Sequence, residues 1–388
     1  MCFFGADFLP ASVARARAPL KHALHTHIRP QAFAKLVQPA FDARKHVGLA
    51  SSWAVAQREV VRLACDALNG ADLAKLQPEF ERLRAFHAEP RVTRTALWYA
   101  GLAKRQGKAA LAGLLASLAQ PTRPLAYAGQ VALVTGAGPG SIASAMVERL
   151  LAGGCRVVLT TSGYDTDRIL GFRRLWQAHA APGAELHVLP FNQASTQDLD
   201  ALTAWLVDHD LLPDLVAPFG ALKDLGTLDR LSPKAEAALR AMLLNVERLV
   251  AALGRQWLGR KDGRRCHVIL PMSPNLGQFG GDGFYAEGKA GMFAILQRWR
   301  SEGAAWGQGT SLVAAKIGWV RGTGLMNVNN AIAPGLESSA GVRTFAAAEM
   351  GLLLGACCTD AVRSLAEGGP LVGDFTGGMG QVTDLRWH

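Results

Sequence analysis

The chain has 388 residues, with 41 Lys and Arg against 31 Asp and Glu, a formal net charge of +10 at pH 7. Hydrophobic residues make up 49% and charged residues 19%, ordinary globular usage that excludes disorder over most of the length. No run of about 18 uncharged apolar residues occurs, so no membrane-spanning helix is expected; Met350–Cys358 is among the longest candidates and is too short.

The length suggests two domains, because a single core stops growing near about 250–300 residues. Cys2, Cys65, Cys155, Cys266, Cys357 and Cys358 form no CxxC pair and no cluster with histidine at metal-ligand spacing. Neither a metal site nor a disulfide framework is expected, and a cytoplasmic location fits. The excess of positive charge contains no block of five or more Lys or Arg, which argues against nucleic acid as the partner. Scattered positive charge of this kind also suits an acidic protein or a phosphorylated cofactor.

Residues 8–41 hold Arg15, Arg17, Lys21, Arg29 and Lys35 and no acidic residue. They lack the serine enrichment of a transit peptide and read as a basic arm, loosely ordered over 1–40. Residues 1–125 otherwise read as helices joined by short turns. Ser51-Ser52 looks like an N-cap, followed by Trp53, Ala56, Val60, Leu63, Ala67 and Leu68 on one face, with Asn69-Gly70 closing the helix. A second helix is expected near 77–87, with Pro78 in its first turn, and a third from about 95 to 118 despite Gly101, Gly107 and Gly113. Gln120-Pro-Thr-Arg-Pro124 is turn-rich and marks the expected boundary between a helical N-terminal domain, 1–124, and a second domain, 125–388.

From residue 130 short β-rich runs alternate with helical patterns. Strands are expected at 131–135, 156–160, 187–191, 215–219, 266–272 and 311–317. Helices are expected at 141–151, 232–253 and 285–300. This order predicts an α/β fold with a doubly wound parallel sheet of Rossmann type, whose ligands sit beyond the carboxyl ends of the strands.

Three places in this domain carry chemistry. Val131-Ala-Leu-Val-Thr-Gly-Ala-Gly-Pro-Gly-Ser-Ile142 runs from strand through a glycine turn into a helix. Gly136, Gly138 and Gly140 would let the backbone approach a pyrophosphate, whose charge then meets the helix N-terminus. The second strand ends in Thr160-Thr161-Ser162-Gly163, without the acidic residue that would hold the ribose 2′-hydroxyl of NAD. Thr161, Ser162 and the nearby Arg168 suit the 2′-phosphate of NADPH; Asp165 or Asp167 folding back onto the ribose is the alternative. Finally, Tyr285-Ala-Glu-Gly-Lys289 places Tyr and Lys at i and i+4 on one helical face, and Ser273 lies twelve residues before the tyrosine. Hydride addition to a ketone builds negative charge on oxygen, which a positioned acid must neutralise. An adjacent Lys ammonium is expected to lower the phenol pKa, with Ser273 holding the carbonyl oxygen.

Together these residues resemble the short-chain dehydrogenase/reductase superfamily. They are most similar to the β-ketoacyl reductase domain of fungal-type (type I) fatty acid synthases. The blocks that carry the resemblance are Thr135-Gly-Ala-Gly-Pro-Gly-Ser-Ile142, Val158-Leu-Thr-Thr-Ser162, Pro190-Phe-Asn-Gln193 and Pro218-Phe219. They continue in Leu270-Pro-Met-Ser-Pro-Asn275, Phe279-Gly-Gly-Asp-Gly283, Ile317-Gly-Trp-Val-Arg-Gly-Thr-Gly-Leu-Met326 and Gly341-Val-Arg-Thr-Phe345. The likeness extends upstream through Lys45-His-Val-Gly-Leu49 and Ser51-Ser-Trp53.

The resemblance implies reduction of a 3-oxoacyl thioester to the 3-hydroxyacyl thioester with NADPH. It makes Ser273 and Tyr285 catalytic, puts Lys289 on the nicotinamide ribose, and gives Asn245 a place in a water-mediated proton relay. Gly136, Gly140, Ser141 and Ile142 would lie on the pyrophosphate, Asn192 and Gln193 near the adenine, and Gly318 and Thr323 near the nicotinamide carboxamide. Phe219 and Gly220 would lie beside the cofactor, in a segment that departs from the superfamily's usual Asn-Asn-Ala-Gly turn. Gly163 stands where those synthases tend to have a basic residue, a second departure.

The chain shows no Asp-Ser-Leu carrier motif, so the substrate is expected on a separate acyl carrier protein or on coenzyme A. Acidic carriers suit the positive charge, with Arg321 and Arg343 as rim candidates beside an ordinary bracing role. The loop 318–334, rich in Gly and Asn, is expected to act as a lid. A homo-oligomer is expected by the same resemblance. The competing readings are a reductase of a non-thioester ketone and a non-catalytic NADP-binding scaffold.

Overall fold

The computed structural model describes residues 30–222, 224–260, 262–278, 280–324 and 331–382. The basic arm up to residue 29, Phe279, Leu325, Met326 and the middle of the expected lid lie outside the described residues.

The described chain opens with helix α1 (Pro30–Leu36) and strand β1 (Val47–Leu49). Helices α2 (Trp53–Leu68), α3 (Leu73–Leu83), α4 (Pro90–Arg105) and α5 (Ala109–Ser117) follow. Their apolar faces close on one another: Val60, Leu63, Phe80, Leu83, Ala96, Leu111 and Leu115 form one buried cluster. Three local expectations are corrected. Ser52 precedes α2 without a side-chain cap; its hydroxyl instead donates to the Ala181 carbonyl oxygen at 2.9 Å, tying the helices to the second domain. Helix α3 starts earlier than expected because Asp72 caps it, accepting from the Ala74 N–H at 3.0 Å, and Pro78 therefore sits beyond the first turn. The expected helix 95–118 is two helices, broken where Gly107 turns at φ +73°. Just past that break the Lys108 ammonium donates to the Ala67 and Leu68 carbonyls at the end of α2.

The second domain alternates strand and helix: β2 (Val131–Thr135), α6 (Ile142–Ala152), β3 (Arg156–Thr161), α7 (Thr166–His179), β4 (Glu185–Pro190), α8 (Thr196–Asp208) and β5 (Leu215–Pro218). Helix α9 (Pro233–Leu239) passes through a π turn (Arg240–Leu244) into α10 (Asn245–Trp257). Next come β6 (Cys266–Met272), α11 (Tyr285–Ser301), β7 (Thr310–Ile317), β8 (Val320–Arg321) and α12 (Ala333–Ala340). The chain then forms β9 (Phe345–Ala346), α13 (Ala347–Cys357), α14 (Asp360–Glu367) and β10 (Leu371–Phe375).

Eight of these strands make one sheet in the order β1-β4-β3-β2-β5-β6-β7-β10, parallel throughout except for β1. Central strands β2 and β6 are buried along their whole length, as a sheet covered by helices on both faces requires. The covering layers pack as two separate apolar clusters, one on each face. The strand order reverses between β2 and β5, and the crevice beyond their carboxyl ends is the switch point where such sheets hold ligands.

Two features were not expected. Val47–Leu49 lies ahead of the Gln120–Pro124 linker in an otherwise helical stretch, yet it forms the antiparallel edge strand, with Val47 opposite Val188. The expected helix 232–253 contains the π turn, an insertion that apolar periodicity does not reveal.

Candidate active site

The glycine turn follows β2 directly at the switch point. Gly136 and Gly140 have φ of +66° and +75°, values that favour glycine. A Cβ on Gly136 would fall 2.8 Å from the backbone N and Cα of Gly220, so this position also needs glycine for close packing against the loop after β5. Beyond Gly138 and Gly140, by contrast, a Cβ would meet nothing within 4 Å. Ser141 caps α6, its hydroxyl oxygen accepting from the Ser144 N–H at 3.0 Å, and Ile142 opens the helix against the core. Backbone pinned on one side and open on the other, leading into a capped helix N-terminus, fits a dinucleotide pyrophosphate.

The end of β3 closes on itself. The Thr161 hydroxyl donates to the Gly163 carbonyl at 2.9 Å, and Ser162 is exposed beside it. The guanidinium of Arg168 lies over Gly163: a Cβ there would sit 2.1 Å from one of its terminal nitrogens. Glycine at 163 thus makes room for a basic group supplied from α7. Asp165 caps that helix, accepting from the Arg168 N–H at 2.9 Å, and its carboxylate lies 3.3 Å from the Arg168 Nε. Its carboxylate is thereby engaged at the start of α7.

Asn192 and Gln193 depart from the expected reach to the adenine. The Asn192 amide donates to the carbonyls of Leu36 and Gln38, each at 2.9 Å, and its oxygen accepts from the Ala194 N–H at 3.0 Å. The Gln193 amide is bonded to Thr135, Gly220 and Ala241. Both side chains are spent within the protein because the segment after α1 and the π turn come to them, contacts with no local signal in the sequence.

Ser273, Tyr285 and Lys289 converge. Ser273 leaves the end of β6, while Tyr285 and Lys289 stand one turn apart at the start of α11. The Lys289 ammonium lies 5.7 Å from the phenol ring centre and donates to the Pro271 carbonyl oxygen at 2.6 Å. Burial pulls its pKa down from 10.5 to about 8. Burial pushes the Tyr285 phenol up, and the facing Ser273 hydroxyl offsets only part of that. The expected lowering of the phenol by Lys289 is therefore overridden by desolvation, because the ammonium is turned to a strand carbonyl.

A residue missed in the sequence supports this group. Asn275 is buried; its N–H donates to the Ser273 Oγ at 3.1 Å and its amide to the Asp282 carboxylate at 2.7 Å. The Asp282 carbonyl in turn accepts from the Tyr285 N–H at 3.1 Å. Asn275 thus links the serine to the start of the tyrosine helix. An Asn two residues after a turn serine is the signal that could have found it.

Asn245 is fully buried, but its amide donates to the Gln193 carbonyl at 2.6 Å and its oxygen accepts from Arg248 at 2.8 Å. No direct hydrogen bond joins it to Lys289. Gly318 follows β7, and a Cβ there would meet the Thr376 carbonyl oxygen at 2.3 Å; Thr323 donates to the Val320 carbonyl at 3.0 Å. Phe219 and Gly220 line the loop after β5, with the Gly220 N–H donating to the Thr135 hydroxyl at 3.1 Å. Arg343 pairs with Glu349 at 3.0 Å and stacks on Phe345, bracing the parallel β8–β9 pair into which Arg321 also falls.

Sheet order and switch-point crevice give an α/β fold of the short-chain dehydrogenase/reductase type, with Ser273, Tyr285 and Lys289 gathered at the crevice. Solved structures share this fold. A short-chain dehydrogenase/reductase from Serratia marcescens aligns at a TM-score of 0.54 with 20% identity, covering 66% of this chain and 100% of that one. A short-chain dehydrogenase from Burkholderia cenocepacia, solved in complex with NADP, aligns at 0.53 with 20% identity, covering 66% and 99%.

More particularly, the chain resembles part of the fungal fatty acid synthase subunit alpha. It is 42% identical to that of Aspergillus oryzae over 270 residues and 40% identical to that of Saccharomyces cerevisiae over 264, or 68% and 66% of this chain. The chain spans 15% and 14% of the length of those two relatives. No protein-family model matches it. Among the described residues no helix is long and apolar enough to cross a membrane.

Proposed function

We propose that this protein reduces a 3-oxoacyl thioester to the 3-hydroxyacyl thioester with NADPH. The convergence of Ser273, Tyr285 and Lys289 at the switch-point crevice, in a chain similar to a fatty acid synthase subunit, carries this reading. Reduction needs hydride at carbon, which NADPH supplies when bound, and a proton at oxygen. Tyr285 gives that proton: burial keeps the phenol neutral, so it starts in the acid form. Ser273 holds the carbonyl oxygen beside it. Lys289 holds the nicotinamide ribose.

Arg168 over Gly163 supports NADPH over NADH, because a guanidinium matches a phosphate with paired N–H donors. The substrate arrives on an acidic acyl carrier protein or on coenzyme A, and the charge of +10 favours encounter with either. The test is NADPH oxidation against 3-oxoacyl thioesters of several chain lengths, on both carriers and beside non-thioester ketones. Turnover on thioesters supports the proposal; turnover on non-thioester ketones alone overturns its substrate, and cofactor binding without any turnover overturns the enzyme reading.

A further inference from the structure

We propose that Gln193 is a positioning residue that clamps the π turn against the catalytic helix, and that it has no part in holding the adenine. Its activity arm rests on the reductase reading above.

Three other segments meet at this one side chain. Its Oε1 accepts from the Thr135 hydroxyl at the end of β2. Its amide donates to the Gly220 carbonyl at 3.1 Å and to the Ala241 carbonyl at 2.8 Å. Gly220 closes the ring by donating from its N–H to Thr135 at 3.1 Å. The main chain of Gln193 is used as well, its carbonyl accepting from the Asn245 amide at 2.6 Å. The residue is buried, so each of these bonds is costly to leave unmade.

The Ala241 bond is the informative one. Ala241 lies in the π turn, where the ladder of helical hydrogen bonds shifts register. Gln193 supplies an extra donor there, and Asn245, at the exit of the turn, reaches back to Gln193. The pair forms a reciprocal clamp on both ends of the insertion. The loop Phe219-Gly220-Ala221 has no side-chain amide of its own, so this donor set comes from across the crevice.

The clamped turn faces the catalytic helix. A Cβ on Gly288 would touch Met242 at 3.5 Å, and one on Gly291 would meet Leu243 at 2.5 Å. These glycines flank Lys289, so the π turn packs where the ammonium is set. Gln193 thus links the strand that opens the glycine turn to the wall behind Lys289.

The test compares Gln193→Met, which keeps length without donor or acceptor, and Gln193→Glu. In Q193M, kcat should fall about tenfold or more while the KM and Kd for NADPH stay within about twofold. Amide hydrogen exchange over residues 240–246 should quicken, with the helices around residues 53–118 unchanged. Q193E can donate to Ala241 or Gly220 only when protonated, so its kcat relative to wild type should recover as pH falls. It also serves as the second variant should Q193M fail to fold. A raised Kd for NADPH with kcat unchanged would return Gln193 to the adenine and overturn the proposal. Wild-type exchange over 240–246 in both variants would overturn it equally. If the wild-type chain turns over no thioester, the reductase reading fails, and the exchange measurement alone decides the clamp.

Discussion

The Lys289 ammonium points at the carbonyl oxygen of Pro271, 2.6 Å away, while the ring of Tyr285 lies 5.7 Å from it. Proline has no N–H for the sheet, but its carbonyl on the penultimate residue of β6 remains free to accept from this amine. The strand that delivers Ser273 therefore also fixes the lysine, and serine and ammonium share one rigid support.

A buried amine with a pKa near 8 is a cost to the fold. Below about pH 8 both folded and unfolded states hold the proton, and the penalty is fully present. Between about 8 and 10.5 the folded state releases it first, so stability rises with pH. At pH 7 the penalty is at most about 3 kcal/mol. Lys289→Met should stabilise the protein by about 1–3 kcal/mol in urea denaturation, less whatever the orphaned Pro271 carbonyl costs. The same variant should lose turnover about 10²-fold or more. A less stable variant would show that the amine supports the fold on balance.

Tyr285→Phe removes the proposed proton donor and little else, since the ring and its packing stay. The kcat for thioester reduction should fall about 10²-fold or more, with dinucleotide affinity nearly unchanged. Turnover near the wild-type value would assign the acid elsewhere.

Arg168→Ala should raise the KM for NADPH about tenfold and leave that for NADH almost untouched, because only the 2′-phosphate meets the guanidinium. Steady-state kinetics with both cofactors checks this. Equal losses with both would place Arg168 in α7 stability instead, through its pairing with Asp165.

His267 is a core histidine rather than a catalytic one. Its ring bonds the Ser311 hydroxyl at 2.8 Å and the Cys357 carbonyl at 3.0 Å, and burial lowers its pKa from 6.5 to about 4. The folded state holds the ring neutral while the unfolded state takes up a proton near pH 6.5. This contribution to stability is therefore present above about pH 6.5 and is lost as pH falls towards 4, up to about 3 kcal/mol. Urea denaturation between pH 4 and 8 should show that slope, and His267→Gln should flatten it.

Much of the site was legible because its signals are local. The glycine turn, the Tyr–Lys pair one helical turn apart and the serine at the end of β6 each follow from short-range geometry. Strands β2 and β6 match expectation residue for residue for the same reason, being continuous apolar runs bounded by turn residues. The N-terminal helices were legible as apolar faces, but their ends moved where a cap or a turning glycine, at Asp72 and Gly107, prevailed over the pattern.

The amino-acid order alone thus specified the sheet, the crevice and the serine, tyrosine and lysine that gather there, through periodicity and spacing. Long-range packing decided the rest. Val47–Leu49 is a strand only because β4 offers it an edge. The direction in which Lys289, Asn245 and Gln193 spend their hydrogen bonds is set by backbone groups that tertiary folding brings to them. No residue names those partners in advance, since every carbonyl looks alike until the chain has folded around it.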